Sequence, residues 1–233
     1  WVDSVSQQDE DAFPAPLLPN TQYVGLVPPG LAYADLRTTL EQSIQPKERM
    51  AALAGWVPES VPIAVAAGAG QARAIGRAIS AAQISPLKAA IENANNRLSG
   101  INVTTELAEI SKLFGQSDSA PVTTPLAIVI SSVAGGSGSG MFMDVVETLK
   151  TVNPDFASPD GIITILYTPD VFASIEGAGG QIPPNTLAAA MEVTSGVLSQ
   201  GLTSGSVSML QSRGLVNRSR HGFGAKCNFL VGA

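Results

Sequence analysis

The residues best suited to chemistry in this chain form a short run of glycine and serine between two apolar segments. Four glycines and two serines occupy positions 135–140, after the apolar segment 126–132 and before a segment of helical periodicity that starts at Met141. Glycine admits positive φ angles and lets an anion approach the backbone amides without a Cβ in the way. The first amides and the positive end of a following helix, with the hydroxyls of Ser137 and Ser139, would then hold a phosphate. The pattern therefore predicts a phosphate-binding loop.

The spacing of these glycines excludes two common nucleotide-binding loops. A P-loop places a lysine after its last glycine, whereas Gly140 is followed by Met141. A dinucleotide fingerprint requires G-x-G-x-x-G, whereas Gly136, Gly138 and Gly140 follow a G-x-G-x-G pattern. A structural alternative stays open, in which the glycines only allow a helix to pack closely against a strand.

A second glycine turn lies upstream of the first. Gly68, Ala69 and Gly70 follow the apolar segment 62–67 and precede a segment in which Ile75 and Ile79 have helical spacing. Taken alone, this pattern is typical of an ordinary connection from a strand to a helix. Its occurrence upstream of the serine-containing run makes it a candidate for the same site.

Strands and helices alternate along the chain and would position the two turns. Strands are predicted at 22–27, 62–67, 126–132, 161–168 and 225–231, and helices at 34–44, 72–82, 85–98, 106–114, 141–151 and 183–198. This order predicts an α/β fold, a parallel sheet flanked by helices on both faces. We expect 126–132 to be an interior strand, and both glycine turns to face one cavity at the carboxyl ends of the strands. The polar, proline-rich residues 1–21 are predicted to be an irregular lead-in, which leaves 22–233 as the domain.

The composition excludes several classes of function. A net charge of −6 argues against a nucleic-acid binder, which needs a basic face. The single cysteine, Cys227, cannot form an internal disulfide and indicates a reducing, cytoplasmic location. The single histidine, His221, provides neither a histidine metal cluster nor a Ser-His-Asp triad. No apolar stretch is long enough to predict a membrane span.

The run from Gly135 to Met141 resembles the signature loop of tubulin, a glycine run with Thr-Gly-Ser-Gly or Thr-Gly-Thr-Gly that wraps the nucleotide phosphates. Ala134 stands where a leading glycine is frequent, and Ser137 replaces the usual threonine but keeps the hydroxyl. The upstream turn is similar to the loop and helix of FtsZ that face the terminal phosphate, because Gly-Ala-Gly is again followed by a Gly-Arg pair at 76–77.

A third similarity to FtsZ lies after the strand at 161–168. Pro169, Phe172 and Glu176 resemble a segment in which FtsZ uses a Pro-Phe pair and a glutamate near the ribose, although extra residues separate Pro169 from Phe172. Glu176 is therefore a candidate ribose contact, with a solvated loop acid as the alternative. Asn185 is similar to an asparagine in tubulin, and a role as helix N-cap would also explain it. The sequences of the two glycine turns are most similar to those of bacterial tubulin-like proteins, a branch distinct from cell-division FtsZ.

The resemblance implies that the protein binds GTP or GDP, with Mg²⁺ bridging phosphate oxygens, and that its subunits assemble head to tail into filaments. The residues implied at the α- and β-phosphates are Gly135, Gly136, Ser137, Gly138, Ser139 and Gly140. The residues implied near the γ-phosphate are Gly68, Ala69 and Gly70. In such families the next subunit supplies the acid for hydrolysis, and the resemblance leaves open whether this protein is a GTPase. We also expect Gly138→Val to abolish nucleotide binding and to leave the fold largely intact, with positive φ at this residue.

Some parts of the family pattern are not found in residues 1–233. The first glycine-rich loop should precede residue 22, yet residues 1–21 contain no glycine, and the base-contacting asparagines and the acidic loop should follow Ala233. We therefore interpret a chain beginning at Trp1 as a fragment, incomplete at both ends, that exposes apolar sheet surface. By itself it is expected to bind nucleotide weakly and to be inactive. Two alternatives remain, a non-hydrolysing tubulin-like scaffold and a binder of another phosphate ligand.

Overall fold

The computed structural model describes residues 1–5, 22–43, 57–61, 64–98, 100–115, 124–172, 182–198 and 223–232. The strands within these ranges are β1 (Val2–Asp3), β2 (Val24–Gly25), β3 (Ala127–Ser132), β4 (Ile162–Tyr167) and β5 (Cys227–Val231). The α-helices are α1 (Tyr33–Gln42), α2 (Arg73–Ala82), α3 (Ile84–Leu98), α4 (Ile101–Leu113), α5 (Gly136–Val152) and α6 (Ile182–Leu198). Short 3₁₀ turns cover Val65–Ala67, Pro154–Ala157 and Pro169–Phe172.

All strand pairs in the described residues are parallel. β1 pairs with β2, and β3, β4 and β5 form a second sheet in that order. In the register of the second sheet, Ile128 lies opposite Ile163, and Ile165 lies opposite Phe229. Parallel pairing requires crossover connections, and within the described residues α5 lies between β3 and β4 and α6 lies between β4 and β5. The predicted α/β fold, parallel sheets flanked by helices, is confirmed.

Helix α5 is the central packing element. It contacts α2, α3 and α6 and packs against β3. Phe142 and Met143 of α5 are buried with Leu166 of β4 and Ala189 of α6, so helix and sheet share one apolar cluster. A second cluster under α1, α2 and α3 includes the fully buried Leu36. None of the helices in these ranges is both long enough and apolar enough to cross a membrane.

The position of β3 differs from the prediction. Its direction is parallel, as expected, but it lies at the outer position of the described sheet, and the central strand is β4. Ile128 and Ile130 are 57% and 63% exposed, so β3 is not buried on both faces. A continuous apolar run indicates burial on both faces only where further elements cover it. The expectation that apolar sheet surface is exposed is confirmed at this strand.

Three local predictions are also corrected. Residues 65–67 of the predicted strand 62–67 form a 3₁₀ turn, while 62 and 63 lie outside the described residues. Helix α3 begins at Ile84, one residue before the predicted start at 85. Val2 and Asp3, assigned to an irregular lead-in, form strand β1. Short strands are difficult to predict because two residues carry no periodicity.

Candidate functional site

The two glycine turns are in direct contact. The amide of Gly136 donates a hydrogen bond of 2.7 Å to the carbonyl oxygen of Gly70. Gly68 and Gly70 have φ angles of 98° and 53°, a conformation that glycine adopts at little cost, so the upstream turn depends on these two residues. The prediction that both turns lie on the same side of the sheet is confirmed.

Helix α5 begins inside the glycine run and not after it. The sequence predicted a start near Met141, whereas the helix starts at Gly136 and places Ser137 and Gly138 in its first turn. The first amides of a helix have no carbonyl partner within that helix, and the helix dipole makes this end positive. The first turn of α5 is therefore suited to an anion. The amide and hydroxyl of Ser139 both donate to the Gly135 carbonyl, which closes the turn.

Burial divides the predicted site residues into two groups. The members with at least partial exposure, which a ligand could touch, are Gly70, Gly135, Ser137 and Gly138. The buried members, which support the turns from inside, are Gly68, Ala69, Gly136, Ser139 and Gly140. Glu176 lies outside the described residues, so its ribose contact stays a prediction.

Packing requires three of these glycines, whatever the ligand. A Cβ on Gly136 would lie 2.7 Å from a backbone oxygen of the upstream turn, and one on Gly140 would lie 2.5 Å from the Arg73 carbonyl oxygen. A Cβ on Gly138 would lie 2.3 Å from the Ser132 carbonyl oxygen. Backbone atoms in a close-packed interior cannot move far enough to relieve such contacts. Close packing, the alternative to phosphate binding, is therefore sufficient to explain these three glycines.

The expected outcome of Gly138→Val is corrected by the same geometry. The φ angle of Gly138 is not positive, and its Cβ position points at the backbone of β3. The substitution would damage the contact between α5 and β3, so the expectation of a largely intact fold is wrong.

Ser4, directly after β1, connects the two turns. Its buried hydroxyl shares a hydrogen bond of 2.6 Å with the Ser137 hydroxyl and accepts one of 3.2 Å from the Ala69 amide. The carboxylate of Asp3 accepts a hydrogen bond of 2.6 Å from the Ser4 amide. Ser4 was not predicted as a site residue, because it lies among residues assigned to an irregular lead-in. The one available signal was a serine two residues after the apolar pair Trp1-Val2.

A groove of about 590 Å³ lies between β1 and the outer edge of β3. Its walls are largely apolar, with Ile91 from α3 and Val145 from α5 among the lining residues. Asp3, Ser137 and Gly138 also line it, so the groove reaches the first turn of α5. Residues 68–70 are not part of the lining, and the expected single cavity facing both turns is not found in this groove.

Behind the turns, charged side chains link α2, α5 and α6. Arg77 Nε lies 3.2 Å from Asp144 Oδ1, and Arg77 Nη1 lies 3.2 Å from Glu192 Oε2. Glu192 also pairs with Arg73 at 2.5 Å, and the Ser80 hydroxyl donates to Asp144. Because Asp144 is fully buried, this cluster fixes the mutual position of the helices that carry both turns.

Stability should depend on the ionisation of Asp144. Burial raises the pKa of this carboxyl above its ordinary value of 3.8, against the opposing effects of Arg77 and of the Ser80 hydrogen bond. The contribution of Asp144 to stability is therefore fully present below its unfolded-state pKa and decreases as the pH rises through the folded-state pKa. We expect the free energy of unfolding, relative to that of Asp144→Asn, to fall with rising pH. Urea unfolding of both proteins at several pH values measures this difference, and parallel curves would contradict it.

Helix α6 makes a second polar contact with the turns. The side-chain amide of Asn185 donates to the carbonyl oxygens of Gln71 and Ala134, at 2.7 and 2.9 Å. The interpretation of Asn185 as a helix N-cap is wrong, because α6 begins at Ile182 and Asn185 is buried inside the helix.

Fold and site together define the class of the protein. Parallel α/β proteins bind ligands at the carboxyl ends of their strands, and here two glycine turns and a helix N-terminus meet at that edge. The chain belongs to the tubulin-like family, whose family model matches residues 8–226. Searches among curated proteins and among solved structures found no match. The tubulin-like part of the resemblance is thus confirmed, while a closer relation to FtsZ and a bacterial origin stay predictions.

Proposed function

We propose that this tubulin-like protein binds a guanine nucleotide, GTP or GDP, with its phosphates against the first turn of α5. One observation carries the proposal, the hydrogen bond from the Gly136 amide to the Gly70 carbonyl oxygen. It brings together two backbone segments that each suit an anion. Membership of the tubulin-like family supports the same conclusion. Because a shared fold does not establish activity, the proposal depends on a binding measurement.

In this proposal, the exposed residues of the turns contact the phosphates and the buried ones hold the turns in place. The amides of Ser137 and Gly138 and the Ser137 hydroxyl would hold the α- and β-phosphates. Gly135, which has no side chain, would let a phosphate approach the helix closely. Gly70 would lie near the γ-phosphate. Glu176 would contact the ribose.

Mg²⁺ would accompany the nucleotide and offset the negative charge of its phosphates. Magnesium keeps several waters and is usually held by substrate phosphates with one or two carboxylates. In the part of the chain that the structure describes, no group of three His, Cys, Asp or Glu side chains could hold a metal ion. The carboxylate of Asp3 lies near Ser137 through their common partner Ser4. This donor set fits an ion bound mainly through phosphate oxygens.

We further propose that the intact protein assembles head to tail. Family membership suggests self-association. A head-to-tail contact that does not close into a ring produces a filament, which could couple assembly to the bound nucleotide. Hydrolysis of GTP at such a contact belongs to the same proposal.

A second candidate function is a tubulin-like scaffold that does not bind nucleotide. The specific observation in its favour is that packing alone explains Gly136, Gly138 and Gly140. A member of the family could therefore keep the glycine run for its fold after losing the ligand.

Binding should be sensitive to a charge at Ser137. Calorimetric titration with GTP, GDP and ATP in the presence of Mg²⁺ is expected to show binding of the guanine nucleotides. An aspartate at position 137 suits a helix N-terminus but repels phosphate, so Ser137→Asp should weaken binding by about tenfold or more, a change of about 1.4 kcal/mol. The neutral variant of similar shape, Ser137→Asn, is the matched control and should lose less affinity.

Three outcomes of this titration would contradict parts of the proposal. Absence of nucleotide binding by the folded protein would favour the scaffold. Binding that is equal in Ser137→Asp and in the unchanged protein would show that the phosphates lie elsewhere. Tighter binding of ATP than of GTP would contradict the choice of guanine and leave the phosphate site in place.

A further inference from the structure

One side chain of α6 contacts the backbone on both sides of the proposed phosphate site. Asn185 is 5% exposed, and its Nδ2 lies 2.7 Å from the Gln71 carbonyl oxygen and 2.9 Å from the Ala134 carbonyl oxygen. Gln71 follows the exposed Gly70 of the upstream turn, and Ala134 precedes Gly135 of the glycine run. A single amide group therefore joins the two turns at the residues adjacent to those that a ligand could touch.

The chemistry of this contact requires an asparagine-like donor. A side-chain NH₂ carries two hydrogens, and each has one carbonyl acceptor here. The reverse orientation of the amide would set its oxygen against two carbonyl oxygens, so the acceptors determine the orientation. An aspartate would place a carboxylate against the same oxygens, and an alanine would leave both without this donor.

Helix α6 is itself held firmly near the turns. The Thr186 hydroxyl lies 3.3 Å from the Val133 carbonyl oxygen, one residue before Ala134. About two turns after Asn185, Glu192 pairs with Arg73 and Arg77 of α2. The backbone of α6 therefore provides a fixed base from which Asn185 reaches both turns.

We propose that Asn185 is a positioning residue that sets the separation of the two turns for a nucleotide polyphosphate. It acts through the Gln71 and Ala134 carbonyl groups and does not contact the ligand itself. The inference rests on the proposed nucleotide binding. It extends that function by assigning the geometry of the phosphate site to a residue on α6, outside both glycine turns.

The test compares Asn185→Ala, Asn185→Asp and Asn185→Ser with the unchanged protein. Calorimetric titration with GTP should give about tenfold weaker binding for Asn185→Ala, because two hydrogen bonds that align the turns are lost. Asn185→Ser keeps one hydroxyl donor, so its affinity for GTP should lie between those of the unchanged protein and of Asn185→Ala. Thr194→Ala, on the same helix, removes an exposed hydroxyl that bonds only within α6 in the described contacts and is the matched control.

The pH dependence of Asn185→Asp separates positioning from a general loss of stability. When protonated, the aspartic acid can donate one hydrogen bond to a carbonyl oxygen, whereas the carboxylate can donate none. The affinity of Asn185→Asp for GTP, relative to the unchanged protein at each pH, should therefore recover as the pH is lowered. The same ratio for Asn185→Ala should stay constant. Because a buried carboxylate also makes stability pH-dependent, circular dichroism at each pH restricts the comparison to folded protein.

The outcomes distinguish the two proposals. If the unchanged protein does not bind GTP, the proposed function fails. If it binds, and Asn185→Ala, Asn185→Ser and Asn185→Asp bind with the same affinity at every pH, the role of Asn185 is overturned and the function stands. Should Asn185→Ala not fold, Asn185→Ser decides, since wild-type affinity in that variant also overturns the role.

Discussion

Gly138→Val is expected to abolish the cooperatively folded state of this protein, and not only to remove a ligand contact. The Cβ of the new side chain would lie 2.3 Å from the Ser132 carbonyl oxygen and 2.9 Å from the Ser131 hydroxyl oxygen. Both belong to β3, whose backbone is held by its parallel pairing with β4. Overpacking typically costs about 1–3 kcal/mol, and because here the paired backbone of β3 must move, we expect a larger cost that approaches the total of about 5–15 kcal/mol by which a whole domain is stable.

Gly135→Ala provides the matched control inside the same run. A Cβ on Gly135 would lie 3.9 Å from the Gly70 carbonyl oxygen, an ordinary van der Waals distance. We expect Gly135→Ala to unfold in urea near the midpoint of the unchanged protein, and Gly138→Val to show no cooperative transition by circular dichroism. A Gly138→Val protein that unfolds cooperatively at the normal midpoint would contradict the observed contact between α5 and β3.

Replacing Arg77 by methionine is expected to cause the second large loss of stability. The side chains of Arg77 and Asp144 are 4% and 0% exposed, so removal of the arginine leaves a buried carboxylate without its nearest cation. Breaking a buried ion pair in this way typically costs about 3–5 kcal/mol. Urea unfolding monitored by circular dichroism should therefore give a much lower midpoint for Arg77→Met.

Two further variants test the cause of this loss. Arg37→Met breaks the exposed pair with Glu41 and should leave the midpoint nearly unchanged. The double variant Arg77→Met/Asp144→Leu removes both buried charges and should recover part of the stability lost in Arg77→Met. If the double variant is as unstable as the sum of its single changes, packing around Arg77, and not the unpaired carboxylate, would be the cause.

Most of the fold could be predicted because its elements carry local signals. The apolar run of β4 and the helical spacing of Ile75 and Ile79 in α2 mark those elements within a few residues. The start of α5 was misplaced because glycine disfavours helices in isolation, and tertiary contacts override that preference here. Burial of β3 was misjudged because it depends on elements distant in sequence.

The site was predictable only where it is continuous in sequence. The glycine turns could be located because each follows an apolar segment and precedes a helix. Ser4 meets Ala69 and Ser137 across 65 and 133 residues of chain, and Asn185 meets Gln71 across 114. A single sequence contains no record of such distances between side chains. The contacts that Ser4 and Asn185 make with the two turns therefore had to come from the structure.

The tight contact between α5 and its neighbours affects how reliably ligand binding can be inferred from the glycine motif in other family members. Because a methyl group at position 136, 138 or 140 would strike backbone atoms, selection for folding alone preserves those glycines. A paralogue that no longer binds nucleotide would therefore retain the three glycines, and a motif search would wrongly identify it as a nucleotide-binding protein. The hydroxyl at position 137, which in the described contacts bonds only to the Ser4 hydroxyl and touches no backbone atom as those glycines do, is the more informative character. In family members that have lost nucleotide binding, we expect position 137 to change before the three glycines do.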